Sequence, residues 1–248
     1  MRTANPALNS KVFAGFGRLA DSAHAMSIQG TVNKTAFMAI LVLISSAWVW
    51  KLYYTSLDTA AVMPWVFGGA FGGFIVAFVT IFKKRWATFT APIYSILEGF
   101  FLGGISAIFE NQYPGIVIQA ISLTFGTLFC LLLAYRSGLI KASENFKLGV
   151  AAATGGIALI YLSTLFLRLF GVNMPFIHES GIIGIGFSLF VVIVASLNLV
   201  LDFDFIETGV AHGAPKYMEW YAAFGLIVTL IWLYIEILRL LSKLRSRR

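Results

Sequence analysis

Apolar runs, each close to 20 positions long, follow one another along this chain, and only short polar stretches break them. A helix rises about 1.5 Å per residue, so about 20 residues cover the roughly 30 Å of a bilayer's hydrocarbon. The pattern predicts seven such helices. They run from about Thr35 to Tyr54, Ala61 to Phe82, Ala87 to Phe109, a fourth ending near Tyr135, Leu148 to Phe170, Gly181 to Leu201, and Trp220 to about Leu241. The runs are continuous rather than alternating, unlike the strands of a membrane β-barrel. The expected fold is an all-α membrane protein of seven transmembrane helices. Residues 1–34 form a cytoplasmic segment, in which Val12, Phe13, Phe16 and Leu19 fall near one helical face. Residues 35–241 form the transmembrane domain, and 242–248 a basic tail.

Composition strengthens this picture. Of 248 residues, 59% are apolar and only 12% charged, about half the charged share of a soluble domain. Such a chain cannot cover itself with polar side chains, so its surface faces lipid. The net charge of +7 does not signal a nucleic-acid partner, because the basic residues cluster beside apolar runs, where they set topology and meet anionic headgroups. With the N-terminus inside, Lys83, Lys84, Arg85, Arg136, Lys141 and Lys147 also lie inside, and only Lys51 and Arg168 lie in outer loops. The tail conflicts with this bias. Arg239, Lys243, Arg245, Arg247 and Arg248 lie outside if the last segment crosses, and inside if it is re-entrant; its length favours crossing.

Small residues at four-residue spacing let helices approach closely. Gly68, Gly69, Gly72 and Gly73 supply two such pairs, and Gly99 with Gly103 a third; Gly181, Gly184 and Gly186 read similarly. The single cysteine, Cys130, reads as a small packed hydrophobe and permits neither an internal disulfide nor a cysteine metal cluster.

An acid at mid-membrane costs about 2.5–3.5 kcal/mol on insertion scales, so each one needs a reason to be there. Glu98 lies some eleven residues into the third run, roughly 17 Å from the inner boundary, and its isolation from water makes it proton-sensitive. Glu236 has Arg239 three positions on, which reads as a local ion pair or as a functional acid. At the end of the sixth run Asn198 and Asp202 share one helix face, and Asp204 and Glu207 another. These carboxylates read as a cation-gathering mouth, with Asp202 and Asp204 as transient ligands, or as a solvated boundary. His24, His178 and His212 read as plain polar residues.

No enzyme is expected. Gly186-Phe187-Ser188 lacks the last glycine of a nucleophile elbow. The seventh run has no lysine for a retinal Schiff base, and no phosphate-binding loop is present. No cofactor is expected either.

In these residues the sequence resembles the Bax inhibitor family, the transmembrane Bax inhibitor motif proteins, in its bacterial YccA-like branch. The resemblance is carried by Leu97-Glu98-Gly99 with Gly103, by Leu201-Asp202, by Leu238-Arg239-Leu240-Leu241 and by Asn5-Pro6-Ala7-Leu8. It implies a seven-helix bundle with the last helix central, in a bacterial inner membrane, acting as a proton-sensitive calcium leak. It implies two gating aspartates, one closing the sixth helix and one in the seventh. Asp202 matches the first; Thr229 stands at the second and is not an acid, so Glu98 is the expected second titrating group. Asp202 is then expected to pair with Lys84 or Arg85 at a closed inner gate. The resemblance also implies a rival reading, an interaction protein that binds a membrane protease or another membrane partner without transport. A proton-coupled solute carrier is a third, although no repeated halves are evident.

Overall fold

The computed structural model describes residues 25–171 and 181–247. The face formed by Val12, Phe13, Phe16 and Leu19, together with His24 and His178, lies outside the described residues. The described chain is helical without a strand, and seven helices are long and apolar enough to cross a membrane. They are α1 (Ile28–Ser56), α2 (Thr59–Phe82), α3 (Ala87–Gln112), α4 (Ile116–Arg136), α5 (Glu144–Leu169), α6 (Ile182–Ala211) and α7 (Met218–Ser246).

Local chemistry sets their ends. Ser27 caps α1 by accepting from the Gly30 N–H at 3.0 Å. Asp58 caps α2 through Ala60 N–H at 2.8 Å, and Ser143 caps α5 through Phe146 N–H at 3.3 Å. Each side chain satisfies one of the four N–H groups that a helix start leaves open. Gly115, with φ 81°, makes the left-handed turn from α3 into α4.

Several helices outrun their apolar cores. α1 starts at Ile28 rather than Thr35, α6 runs on to Ala211 rather than Leu201, and α7 ends at Ser246. Polar residues at a helix end interrupt the hydropathy pattern without interrupting backbone hydrogen bonding. Residues 28–34 and 242–246 are therefore helical, and Asp202, Asp204 and Glu207 lie within α6 instead of closing it. The seventh segment is one unbroken helix of 29 residues, with no turn to return the chain. Its most apolar window is 56% buried, more than that of any other span, whereas that of α5 is 11% buried.

The described residues form two compact units. One contains Gly115–Asp204 and Thr229–Arg248, the other the described part of Val12–Pro114 with Phe205–Val228. In the second, α3 packs against both α1 and α2, and the glycines explain how. A Cβ on Gly69 would lie 2.8 Å from the Phe101 backbone nitrogen, one on Gly99 2.6 Å from the Val42 carbonyl oxygen, and one on Gly103 2.8 Å from Ser46 Cα. The Ser46 hydroxyl donates to the Gly99 carbonyl at 3.0 Å. Gly68, however, meets nothing within 4 Å, so Gly69 and Gly73 form the packing pair of α2. Gly181 and Gly186 likewise meet nothing and are not packing devices. In the first unit Ile157, Val191 and Val194 form a core to which Tyr161, Phe187 and Trp232 add their rings. Cys130 is exposed rather than packed; an outward position on a span faces lipid, which accepts a thiol without a protein neighbour.

Candidate functional site

Burying an ionisable group is costly unless it is paired or hydrogen-bonded, so the buried ones mark where the fold concentrates its chemistry. Asp202, Glu219, Glu236, Lys147 and Lys243 are all buried. Asp202, on α6, is 0% exposed.

Its neighbour Asp204 has a different place. Asp204 Oδ2 lies 2.7 Å from Lys147 Nζ at the start of α5, and Glu144 lies 3.5 Å from the same ammonium. Asp204, expected with Asp202 as a transient cation ligand, is thus paired with a lysine of its own chain. Among the described residues no group of three or more histidines, cysteines or acids gathers to hold a metal. Glu207 is exposed on α6. Asn198 is a helix tie: its Nδ2 donates to Thr154 Oγ1 at 2.9 Å and to the Val194 carbonyl at 2.8 Å. Thr229 is buried, and a hydroxyl there cannot replace a titrating carboxyl.

Glu236 joins a closed triangle. Tyr161 of α5 donates its hydroxyl to Glu236 Oε1 at 3.0 Å, and Arg239 Nη1 reaches both the Tyr161 oxygen at 2.9 Å and Glu236 Oε1 at 3.1 Å. The Arg239 guanidinium also lies 5.4 Å from the Tyr161 ring centre. One helical turn further on, Lys243 donates to Ser188 Oγ at 2.8 Å and to the Gly184 carbonyl at 3.1 Å. Arg245 donates to Gln119 at 3.0 Å. Three of the basic residues that conflict with the loop bias, Arg239, Lys243 and Arg245, are thus engaged by the protein.

Glu98 is half-buried on α3. Tyr94, one turn earlier, is buried with its hydroxyl near the carboxylate, and the Tyr94 ring meets Phe224 edge-on at 4.9 Å. The carboxylate also occupies the hollow that Gly73 leaves on α2, where a Cβ would lie 2.6 Å from Glu98 Oε1. No basic group pairs with Glu98 among the described residues. Lys84 lies over the Tyr221 ring at 5.7 Å, and Arg85 is exposed.

One buried acid was not anticipated. Glu219, in the first turn of α7, is 0% exposed. It accepts from Ser27 N–H at 3.0 Å and Ser27 Oγ at 2.9 Å, and forms an ion pair with Lys34. Gly30 has no side chain to obstruct it, and Lys216 adds a charge at 3.8 Å. The carboxylate thus sits at the positive end of α1. Beside it the Met26 N–H donates to the Ala214 carbonyl at 2.6 Å. Hydropathy hides Glu219 because it falls just before the apolar run; the available signal was an acid opening one long helix and a serine with a lysine seven positions on opening another.

Seven apolar helices that keep carboxylates among them define a multi-pass integral membrane protein. The family model described as Bax inhibitor 1 like matches residues 5–246, nearly the whole chain, and the protein belongs to that family. The comparison with curated proteins returned no match.

Proposed function

We propose that this protein is a proton-modulated cation leak that passes calcium. The observation that carries the reading is Asp202, a carboxyl group with 0% exposure on a span. An acid kept there against an insertion cost of about 2.5–3.5 kcal/mol marks an ion or proton path by default. Glu98 supports it as a second acid. It has a tyrosine hydroxyl nearby and a glycine hollow but no counter-charge among the described residues, so a proton or a passing cation can supply one. Asp202 is the gating acid in this proposal, and Glu98 the second titrating group, taking the place that Thr229 cannot fill. Asp204 and Glu236 are structural, since Lys147 and Arg239 neutralise them. Membership of the family adds the expectation of calcium. The loop charges favour a cytoplasmic N-terminus, and the resemblance to the YccA-like branch favours a bacterial inner membrane.

Purified protein in liposomes loaded with a calcium dye tests this. Wild type is expected to show flux that changes with pH, and Asp202→Asn to flatten that dependence. Identical flux from the two across the pH range defeats the reading.

A further inference from the structure

The basic turn between α2 and α3 takes no part in the conduction proposed above. We propose that it binds one anionic phospholipid, with the headgroup phosphate held by Lys83, Lys84 and Arg85 and an acyl chain running along α2.

Three observations converge. First, the cations are uncompensated. No acid occurs between Asp58 and Glu98 in the sequence. Among the described residues none of the three side chains forms an ion pair or a hydrogen bond; Lys84 makes only its contact over the Tyr221 ring. Lys34, Lys147 and Arg239, by contrast, each have a carboxylate. The turn is tight, with the Trp86 N–H donating to the Lys83 carbonyl at 2.8 Å. Three consecutive like charges there repel one another until an anion joins them.

Second, the turn borders an open surface hollow. It measures about 320 Å³ and is lined by Phe82, the three cations and Trp86. Arginine and lysine are the side chains suited to phosphate oxygens.

Third, the apolar surface continues from that hollow in the direction a lipid chain would take. Phe82 is 68% exposed, and Phe78, Phe74 and Phe71 follow at helical spacing, all exposed. The Phe78 ring meets that of Phe82 at 4.6 Å and that of Phe74 at 6.4 Å, both tilted. Trp86, also exposed, stands beside the cations, as interfacial tryptophans do at headgroup level. Cations at one end and an exposed aromatic ladder below them match an anionic phospholipid better than a free phosphate, which would leave the ladder unused.

Native mass spectrometry of the detergent-solubilised full chain, titrated with phosphatidylglycerol or phosphatidylcholine, tests the proposal. Wild type is expected to retain one phosphatidylglycerol at least tenfold more tightly than phosphatidylcholine. Each cation near a headgroup contributes roughly fivefold, so Lys83→Gln with Arg85→Gln should weaken phosphatidylglycerol about 25-fold and leave phosphatidylcholine unchanged. The exchange variant Lys83→Arg with Arg85→Lys should bind like wild type, which separates lost charge from lost folding. Arg136→Gln with Lys141→Gln removes the same net charge elsewhere and should have no effect. Equal retention of the two lipids, or equal weakening by the two charge-removing pairs, overturns the site. Inorganic phosphate that binds as tightly as phosphatidylglycerol overturns the lipid as its ligand.

Discussion

Each unit sets a glutamate beside a tyrosine, on two helices in one case and within one helix in the other, and only one of the pairs has a cation. In the unit containing α4 and α5, Glu236 and Tyr161 share Arg239 between them. In the unit containing α1 to α3, Glu98 and Tyr94 have the hollow of Gly73 in place of a cation. The first arrangement is electrically closed: the acid brings its counter-charge on its own helix, three positions away. The second has no such counter-charge among the described residues, and it is there that the proposed function places proton or ion exchange. The arginine is what separates the two arrangements.

Breaking the closed pair should have the largest effect. Arg239→Met leaves Glu236 buried and charged without its partner, which for a buried pair costs about 3–5 kcal/mol. Arg239 is 36% exposed, so the lower end, about 3 kcal/mol, is expected in unfolding of the detergent-solubilised protein. Adding Glu236→Gln should restore most of that stability, because the orphaned charge is then gone. A loss below about 1 kcal/mol from Arg239→Met alone means that the triangle does not anchor the helices, and the contrast with Glu98 loses its meaning.

The seven spans were legible in the sequence because their signal is long and redundant: about 20 apolar positions survive an error at any one of them. The ion pair of Glu236 and Arg239 was legible for a local reason, since three positions along a helix place side chains together. What escaped was chemistry joining residues far apart in sequence. Lys147 read as a loop residue, yet it neutralises Asp204 from 57 positions away. Lys243 read as tail, yet it is buried against Ser188 and Gly184. Glu219 escaped twice, falling outside the apolar run and finding its partners, Ser27 and Lys34, at the other end of the chain. Helix ends were misjudged for a related reason, as at Asp202, because hydropathy stops where charge begins and hydrogen bonding does not.

The open pair can be sharpened by filling its hollow. A Cβ at Gly73 would press Glu98 Oε1 at 2.6 Å; the tip of a glutamate can shift and alanine adds helix propensity, so the overpacking by Gly73→Ala should cost only about 1 kcal/mol net. Glu98→Ala removes the atom that clashes. The double variant should therefore be more stable than the two single costs predict, by about 1 kcal/mol in a double-mutant cycle. Strict additivity would place Glu98 away from Gly73 and remove the basis for calling the site open. The neighbouring position supplies the smallest and most diagnostic effect. Gly68 lies on the same helix, five residues earlier, with nothing within 4 Å of its added Cβ. Gly68→Ala meets no resistance and gains helix propensity, up to about 1 kcal/mol, so the unfolding midpoint should stay level or rise slightly. Two glycine-to-alanine changes on one helix, one at an exposed position and one at a buried position, then differ in sign. Propensity and hydropathy are the same at both positions, so the contact with the carboxylate held against Gly73 accounts for the difference.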